Sequence, residues 1–355
     1  MKTILKIFVG AVALVVLIAA VYVAYVFLSY HRIGDNLRLD VDNVSSDMPQ
    51  PGVVYSLTTF NVGYGAYSVD YSFFMDGGEY SRAYSESEVL KNIDGAIGII
   101  NDINPDFALF QEVDTDSTRS YHVDEYSIIR DGFSDHSSVF AENYDSPYLF
   151  YPVTDPIGKS ASGIVTMSKY SVSSSLRRSL PLESGFRKLL DLDRCYSMTT
   201  IPVSNGKDLV LINVHLSAFT ADVSIGEAQL EMLFEDAQAE YDAGNYVVIG
   251  GDFNKDLMGN SPELFGTTRE IPTWAAPING SLIPDVFTIV RPENEEDITP
   301  TLRSTETAYV EGESFVTVLD GFIVSDNVEV LYEEHIQADF IYSDHNPVLL
   351  QFKLS

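Results

Sequence analysis

The sequence predicts an α+β sandwich of two mainly antiparallel β-sheets flanked by helices, preceded by one transmembrane helix. Three observations carry this. Apolar strand-like runs are many, and amphipathic helical patterns are few. The 355 residues are 45% hydrophobic, ample for a sizeable core. Residues 7–28, "IFVGAVALVVLIAAVYVAYVFL", contain no charge.

The apolar segment comes first. At about 1.5 Å per residue a helix of that length spans the roughly 30 Å apolar layer of a bilayer. A signal-peptide core is usually shorter, about 7–15 residues. Residues 1–30 are therefore expected to be an uncleaved anchor. Lys2 and Lys6 precede the segment, and His31, Arg32 and Arg38 follow it, so flanking charge does not fix its orientation. The short N-terminal tail and large remainder favour a single-pass protein with its folded domain outside the cytoplasm. Residues 31–52, ending "SSDMPQPG", read as a polar linker.

The domain is expected over residues 53–355. "VVYSLTTFNV" reads as a strand. Ser85-x-x-Glu88 is a capping box, and Val89, Ile93, Ile97, Ile100 and Ile103 form a helical stripe that Asn104-Pro105 ends. "FALFQEV", "GIVTMSKY", "CYSMTTIPV" and "DLVLINVHL" follow as strands. A second helix runs through "SIGEAQLEMLFEDAQAEYDAG", with Ser224 and Glu227 at its start. "YVVIGGDF", "FVTVLDGFIVS" and "PVLLQFKL" complete the strands. Residues 64–84 and 121–146 are polar and Tyr-rich and read as loops at the mouth of a site.

Charge narrows the partners. Lys and Arg number 21 against 52 Asp and Glu, a net −31. Such a surface repels polyanions and lacks the footprint of broad nucleic-acid binding. A polyanion held by a metal ion at one site stays compatible with it. The single cysteine, Cys195, allows no internal disulfide and reads as a small core residue.

A pattern recurs where strands end. Asn61 follows "LTTF", Glu112 follows "ALFQ" and His215 follows "LINV". Asp252 and Asn254 follow "VVIGG", Asp320 sits in "VTVLDGFIV", and Asp344 with His345 opens "SDHNPVLLQF". Each alone reads as a solvated or turn residue. Together they suit phosphoester hydrolysis, which needs a divalent cation against the phosphoryl charge. Glu112 and Asp344, with Asn61, offer the oxygen ligands that Mg²⁺ or a similar hard cation prefers. Asp252 or a histidine is a candidate base for water, Asn254 an amide donor to a phosphoryl oxygen, and Asp320 a partner for His345.

These residues carry a resemblance. "TTFNVG", "FALFQEV", "GIVTMSKY", "LINVHLSAF", "VVIGGDFN", "VTVLDGFIVS" and "YSDHNPVLLQF" resemble, in order, the motifs of the endonuclease/exonuclease/phosphatase superfamily. That superfamily includes deoxyribonucleases, abasic-site endonucleases, neutral sphingomyelinases and inositol-polyphosphate 5-phosphatases. The resemblance implies a four-layered α/β sandwich and metal-dependent hydrolysis, with Mg²⁺ or Mn²⁺ as cofactor. It implies Glu112 as principal metal ligand, Asn61 near metal and phosphate, and Asp344 assisting. Asp252 would orient or deprotonate water, Asn254 would bind phosphate, and His345, paired with Asp320, would contact the scissile group. His215 stands where deoxyribonucleases and sphingomyelinases carry a catalytic histidine. One departure is Gly63, where abasic-site endonucleases carry an acid; this weakens a second-metal reading. Lys159, Arg187, Lys188 and Arg194 are candidate phosphate contacts. Nucleic acid, phospholipid head groups and small phosphodiesters all stay open as substrates. A non-catalytic surface binding protein on the same fold is the competing reading.

Overall fold

The structure is a computed structural model that describes residues 2–182, 193–218, 223–267, 271–272, 275–294 and 298–355. Among these, seven strands form each of two mixed sheets. In chain-spatial order the first sheet runs β1 (Leu37–Arg38), β7 (Ser174–Ser179), β8 (Cys195–Pro202), β9 (Asp208–His215), β10 (Tyr246–Asp252), β14 (Asp320–Ser325) and β11 (Phe287–Ile289). The second runs β15 (Val328–His335), β16 (Val348–Leu354), β3 (Val54–Asn61), β4 (Phe107–Asp114), β6 (Gly158–Ser168), β5 (Ser137–Leu149) and β2 (Val41–Asp42). A separate short ladder pairs β12 (Leu302–Arg303) with β13 (Val316–Thr317). Most ladders are antiparallel; β9/β10 and β3/β4 are parallel.

Three apolar layers hold four structural ones together. Leu57, Leu109, Leu211, Val248, Phe322 and Leu350 fill the space between the sheets. Helix α2 (Glu86–Ile103) lays Val89, Ile93 and Ile100 on the outer face of the second sheet, against Phe60 and Phe110. Ser85 caps α2 by accepting the Glu88 N–H at 3.2 Å, and Asn104 ends it in a left-handed conformation. Helix α4 (Val223–Asp242) packs Leu230, Leu233 and Phe234 against Val247 and Ile249 of the first sheet. Each such side chain, fully buried, contributes about 1.5–3 kcal/mol. Strand β10 is buried along its whole length, which explains its unbroken apolar run.

Several expectations change. Residues 121–146 are not a loop: helix α3 (Glu125–Gly132), capped by Asp124, leads into the 13-residue β5. Its Ser, Asn and Asp residues hide a strand whose inner face is carried by Val139, Ala141 and Tyr144. The stretch "FVTVLDGFIVS" is split into β13 and β14, because the Leu319 and Asp320 N–H groups donate to Thr301 Oγ1 at 2.9 and 3.1 Å. Residues 31–52 carry β1 and β2, which pair with the edges β7 and β5. The apolar segment forms helix α1 (Lys2–Ser29), exposed along nearly its whole length. Long enough to cross a membrane, such a helix is equally compatible with a signal sequence.

Two positions test the packing. Gly251 adopts φ +141°, and a Cβ there would meet the Val214 carbonyl oxygen at 2.1 Å. We predict that Gly251→Ala destabilises the fold by more than about 2 kcal/mol in urea melts. Glu333 is buried on β15, and burial, offset in part by Arg291, pushes its carboxyl up to about 8. The folded chain thus keeps a proton that the unfolded chain releases. Its stabilising share is full below about pH 4.5 and is lost as pH rises towards 8. Glu333→Gln is expected to remove that decline, so that the stability difference from wild type widens through this window.

Candidate active site

The parallel ladders place the polar residues. Asp252 ends β10, directly beside His215 of parallel β9 and opposite Asp320 of antiparallel β14. Across the sandwich, Asn61 ends β3 beside Gln111 of β4. Both sheets therefore present their strand ends to one cavity of about 420 Å³.

Glu112 reaches that cavity through a bulge. Phe110 faces the helices and Gln111 faces the other sheet, so simple alternation would turn Glu112 outward. The β4/β6 register shifts between Phe110 and Val113, and Glu112 takes φ +55°. A left-handed non-glycine residue costs about 1–3 kcal/mol and re-aims the side chain.

Asn61 joins the two sheets at the site. Its Nδ2 donates to Asp252 Oδ2 at 3.1 Å and to Glu112 Oε1 at 3.3 Å. Its Oδ1 accepts the Gly63 N–H at 3.0 Å. The amide thus bridges two carboxylates rather than turning its oxygen toward them. Ser343, unremarked in the sequence, donates from Oγ to the Asn61 carbonyl at 2.7 Å and accepts the His345 N–H.

His345 and His215 flank Asp252 in opposite charge states. His345 Nδ1 lies 2.7 Å from Asp320 Oδ2, and its Nε2 is 3.9 Å from Asp252 Oδ2. Burial opposes the imidazolium, but Asp320, Asp344 and Asp252 outweigh it and push His345 up to about 10. His215 Nε2 lies 3.6 Å from Asp252 and 3.9 Å from Glu112. Burial, with the cations of Arg194, His345 and Arg119, keeps this ring well below its usual value and neutral. Asp252 itself is pushed up to about 6 by burial and by Asp320, despite His345. Asn254 takes φ +48°; its N–H donates to Asp252 Oδ1 at 2.9 Å, and its Nδ2 donates to the Leu216 carbonyl at 2.8 Å.

The donors fit a hard cation. Asp344 is half-buried among buried neighbours, and its carboxyl is pushed up to about 6 by desolvation, with Glu112 adding to the rise against His345 and Arg303. Clustered, desolvated carboxylates are what a divalent ion relieves. Gly63, at φ +54°, has no room for a side chain beside Asp344: a Cβ would stand 3.1 Å from Asp344 Oδ1 and 2.5 Å from the Tyr67 ring. Tyr67 therefore fills the space an acidic side chain at position 63 would need. Asp252, Asp320 and His345 also bring three ligand-type atoms within 4.8 Å of one another. The His345–Asp320 hydrogen bond already ties up two of these groups.

The cations divide. Arg194 lines the cavity. Lys159 lies outside it, paired with Asp116 at 2.8 Å. Arg187 and Lys188 lie outside the described residues. Two further cavity residues, Arg119 and Arg303, were not singled out by sequence. Arg119 pairs with buried Asp114 through Nε and Nη2 at 3.1 and 2.8 Å and lies 3.7 Å from the Tyr64 ring centre. Arg303 donates to the carbonyls of Tyr67, Ser68 and Tyr71, pinning the loop that walls the cavity.

Comparison with known proteins agrees with this geometry. A profile of the endonuclease/exonuclease/phosphatase family matches residues 58–345. A search of curated protein sequences gives no match. Among solved structures, the endonuclease/exonuclease/phosphatase from Beutenbergia cavernae DSM 12333 superposes with TM-score 0.56 at 16% identity, covering 85% of this chain and 72% of that one. ANGEL2, a 2′,3′-cyclic phosphatase in complex with adenosine-2′,3′-vanadate, gives 0.56 at 14% identity, covering 90% and 99%. TDP2 from D. rerio, complexed with a single-strand DNA product, gives 0.54 at 14% identity, covering 84% and 99%. At these identities the structures speak for the fold, and the profile for the lineage. From strand ends, sheet order and profile together, the chain belongs to the endonuclease/exonuclease/phosphatase family.

Proposed function

We propose that the chain is a membrane-anchored, divalent-metal-dependent phosphoester hydrolase. The observation that carries this is Asp252, held at the cavity floor between a neutral and a cationic imidazole. A carboxylate pushed up to about 6 is suited to accept a proton from water near neutral pH. His215 keeps its ring beside that carboxylate without adding charge. His345, cationic and fixed by Asp320, faces the cavity as a donor to a phosphoryl oxygen. Asn254 shapes the same floor, through its N–H to Asp252 and its amide to Leu216, and is the proposed phosphate-side donor. Arg119 and Arg194 add positive potential to the wall.

Glu112 and Asp344 are the proposed ligands of Mg²⁺, or Mn²⁺ in its place, with Asn61 orienting Glu112. When bound, the ion offsets charge on the phosphoryl oxygens and the leaving group. The solved relatives hold a single-strand DNA product in one case and, in a 2′,3′-cyclic phosphatase, adenosine-2′,3′-vanadate in the other.

Glu112→Gln and His345→Ala are each expected to lower Mg²⁺-supported turnover of bis(4-nitrophenyl) phosphate at least about 100-fold, with circular dichroism unchanged. Glu112→Gln should also weaken Mn²⁺ binding by calorimetry, whereas His345→Ala should largely spare it. Unchanged turnover in both variants removes the assignment. The anchor is tested separately. The chain should stay with membranes through alkaline carbonate, and protease added to intact cells should digest the domain; survival of the domain alongside digested surface controls would place it inside.

A further inference from the structure

The turn joining β5 to β6, between Leu149 and Gly158, carries an apolar tip that the domain leaves in the open. Phe150, Tyr151 and Val153 are 51%, 66% and 70% exposed, and Met75 beside them is 65% exposed. Exposed apolar groups scattered singly are ordinary; four gathered at one edge are a contact surface.

What covers that surface is indicated by α1. The Tyr22 hydroxyl accepts the Phe150 N–H at 2.8 Å and donates to the Tyr148 carbonyl at 3.4 Å. The Tyr25 hydroxyl accepts the Tyr148 N–H at 3.0 Å. Two tyrosines of the apolar helix thus satisfy three backbone polar groups, on Tyr148 and Phe150, where β5 runs into the tip. In water those groups need no such help. In a bilayer an unpaired amide costs several kcal/mol, so capping by helix tyrosines is what a lipid-facing loop requires. Tyr25 and Tyr22 stand three and six residues before Leu28, the end of the apolar segment. At about 1.5 Å per residue they lie about 5–9 Å inside that end, the depth at which interfacial segments sit and tyrosines collect. Nearer the domain, His31 Nε2 contacts Asp145 of β5 at 2.8 Å.

The tip also borders the site. The Tyr151 and Phe74 rings are 5.7 Å apart. The Ile157 N–H donates to the Tyr151 carbonyl at 3.0 Å. Met75 and Ile157 both line the active-site cavity.

We propose that the β5–β6 tip inserts into the head-group layer of the bilayer that α1 crosses, seating the mouth of the cavity on the lipid surface. The inference rests on α1 being a membrane helix and is independent of the catalytic assignments. A chain of net charge −31 gains nothing from anionic lipid, so the partner is a zwitterionic surface met through apolar contact.

The full chain, reconstituted into phosphatidylcholine vesicles, tests this with a fluorophore on Phe150→Cys, Val153→Cys or Ser204→Cys. Ser204 is exposed in the β8–β9 turn, at the opposite end of the sandwich from Asp252. Native Cys195 is buried, with its thiol pushed up to about 11, and does not compete for label. Nitroxide lipids are expected to quench labels at 150 and 153 several-fold more than the label at 204. Equal quenching at all three sites, in protein that resists carbonate extraction, overturns the insertion while leaving the anchor standing. Release of the chain by carbonate overturns both. No Mg²⁺-supported phosphodiesterase activity in the unlabelled chain, with quenching intact in the labelled ones, would instead overturn the catalytic reading alone.

Discussion

The site depends on how closely the two sheets meet at their parallel centres. Gln111 of β4 and Asn213 of β9 face each other across the sandwich, and Gln111 Nε2 donates to Asn213 Oδ1 at 2.8 Å. Asn213 Nδ2 donates onward to the Val165 carbonyl, and Gln111 pairs with Thr59. Every one of these groups is buried. Such bonds add only about 1 kcal/mol each when made, but losing one partner strands the other at a cost of about 1–3 kcal/mol. The network therefore tolerates one register and no other. With that register set, Asn61 and Asp252 arrive within a hydrogen bond of each other one step further along.

Local electrostatics run against the protein as a whole. A strongly acidic chain gathers Arg119, Arg194, Arg303 and His345 around one cavity. Burial would neutralise or expel such groups were they alone. Three of them are kept by something specific: Arg119 by Asp114 and the Tyr64 ring, His345 by Asp320, Arg303 by a ring of carbonyls. Cations and carboxylates thus meet in one cavity, where Glu112, Asp252 and Asp344 stand among them, so that positive charge is concentrated here more than elsewhere on an acidic chain.

Strand ends were readable because apolar runs stop abruptly at Asn61, Glu112, His215 and Asp252. Their assembly was not, since only the sheet order makes residues 215, 252 and 320 neighbours in register. Arg119 was hidden for a related reason. It sits in "DTDSTRS", which reads as a solvated turn, and its ring partner Tyr64 lies far away in sequence. Strand β5 was missed because its polar residues face neighbouring strands and the cavity rather than water. The bulge at Glu112 leaves no mark in composition, as it arises from a φ angle and not from a glycine.

The short connection after α1 has a consequence for how substrate is found. The helix ends at Ser29 and β1 begins at Leu37, already paired with β7. Even fully extended, that span reaches only about 25 Å at roughly 3.4 Å per residue. With α1 in a bilayer, the domain is leashed too tightly to sample bulk solvent. Its encounters become a search in two dimensions, in which rate follows surface density of target per unit area. Soluble phosphoesters would be met only as they diffuse past, whereas membrane-resident ones would be swept by the protein's own lateral diffusion.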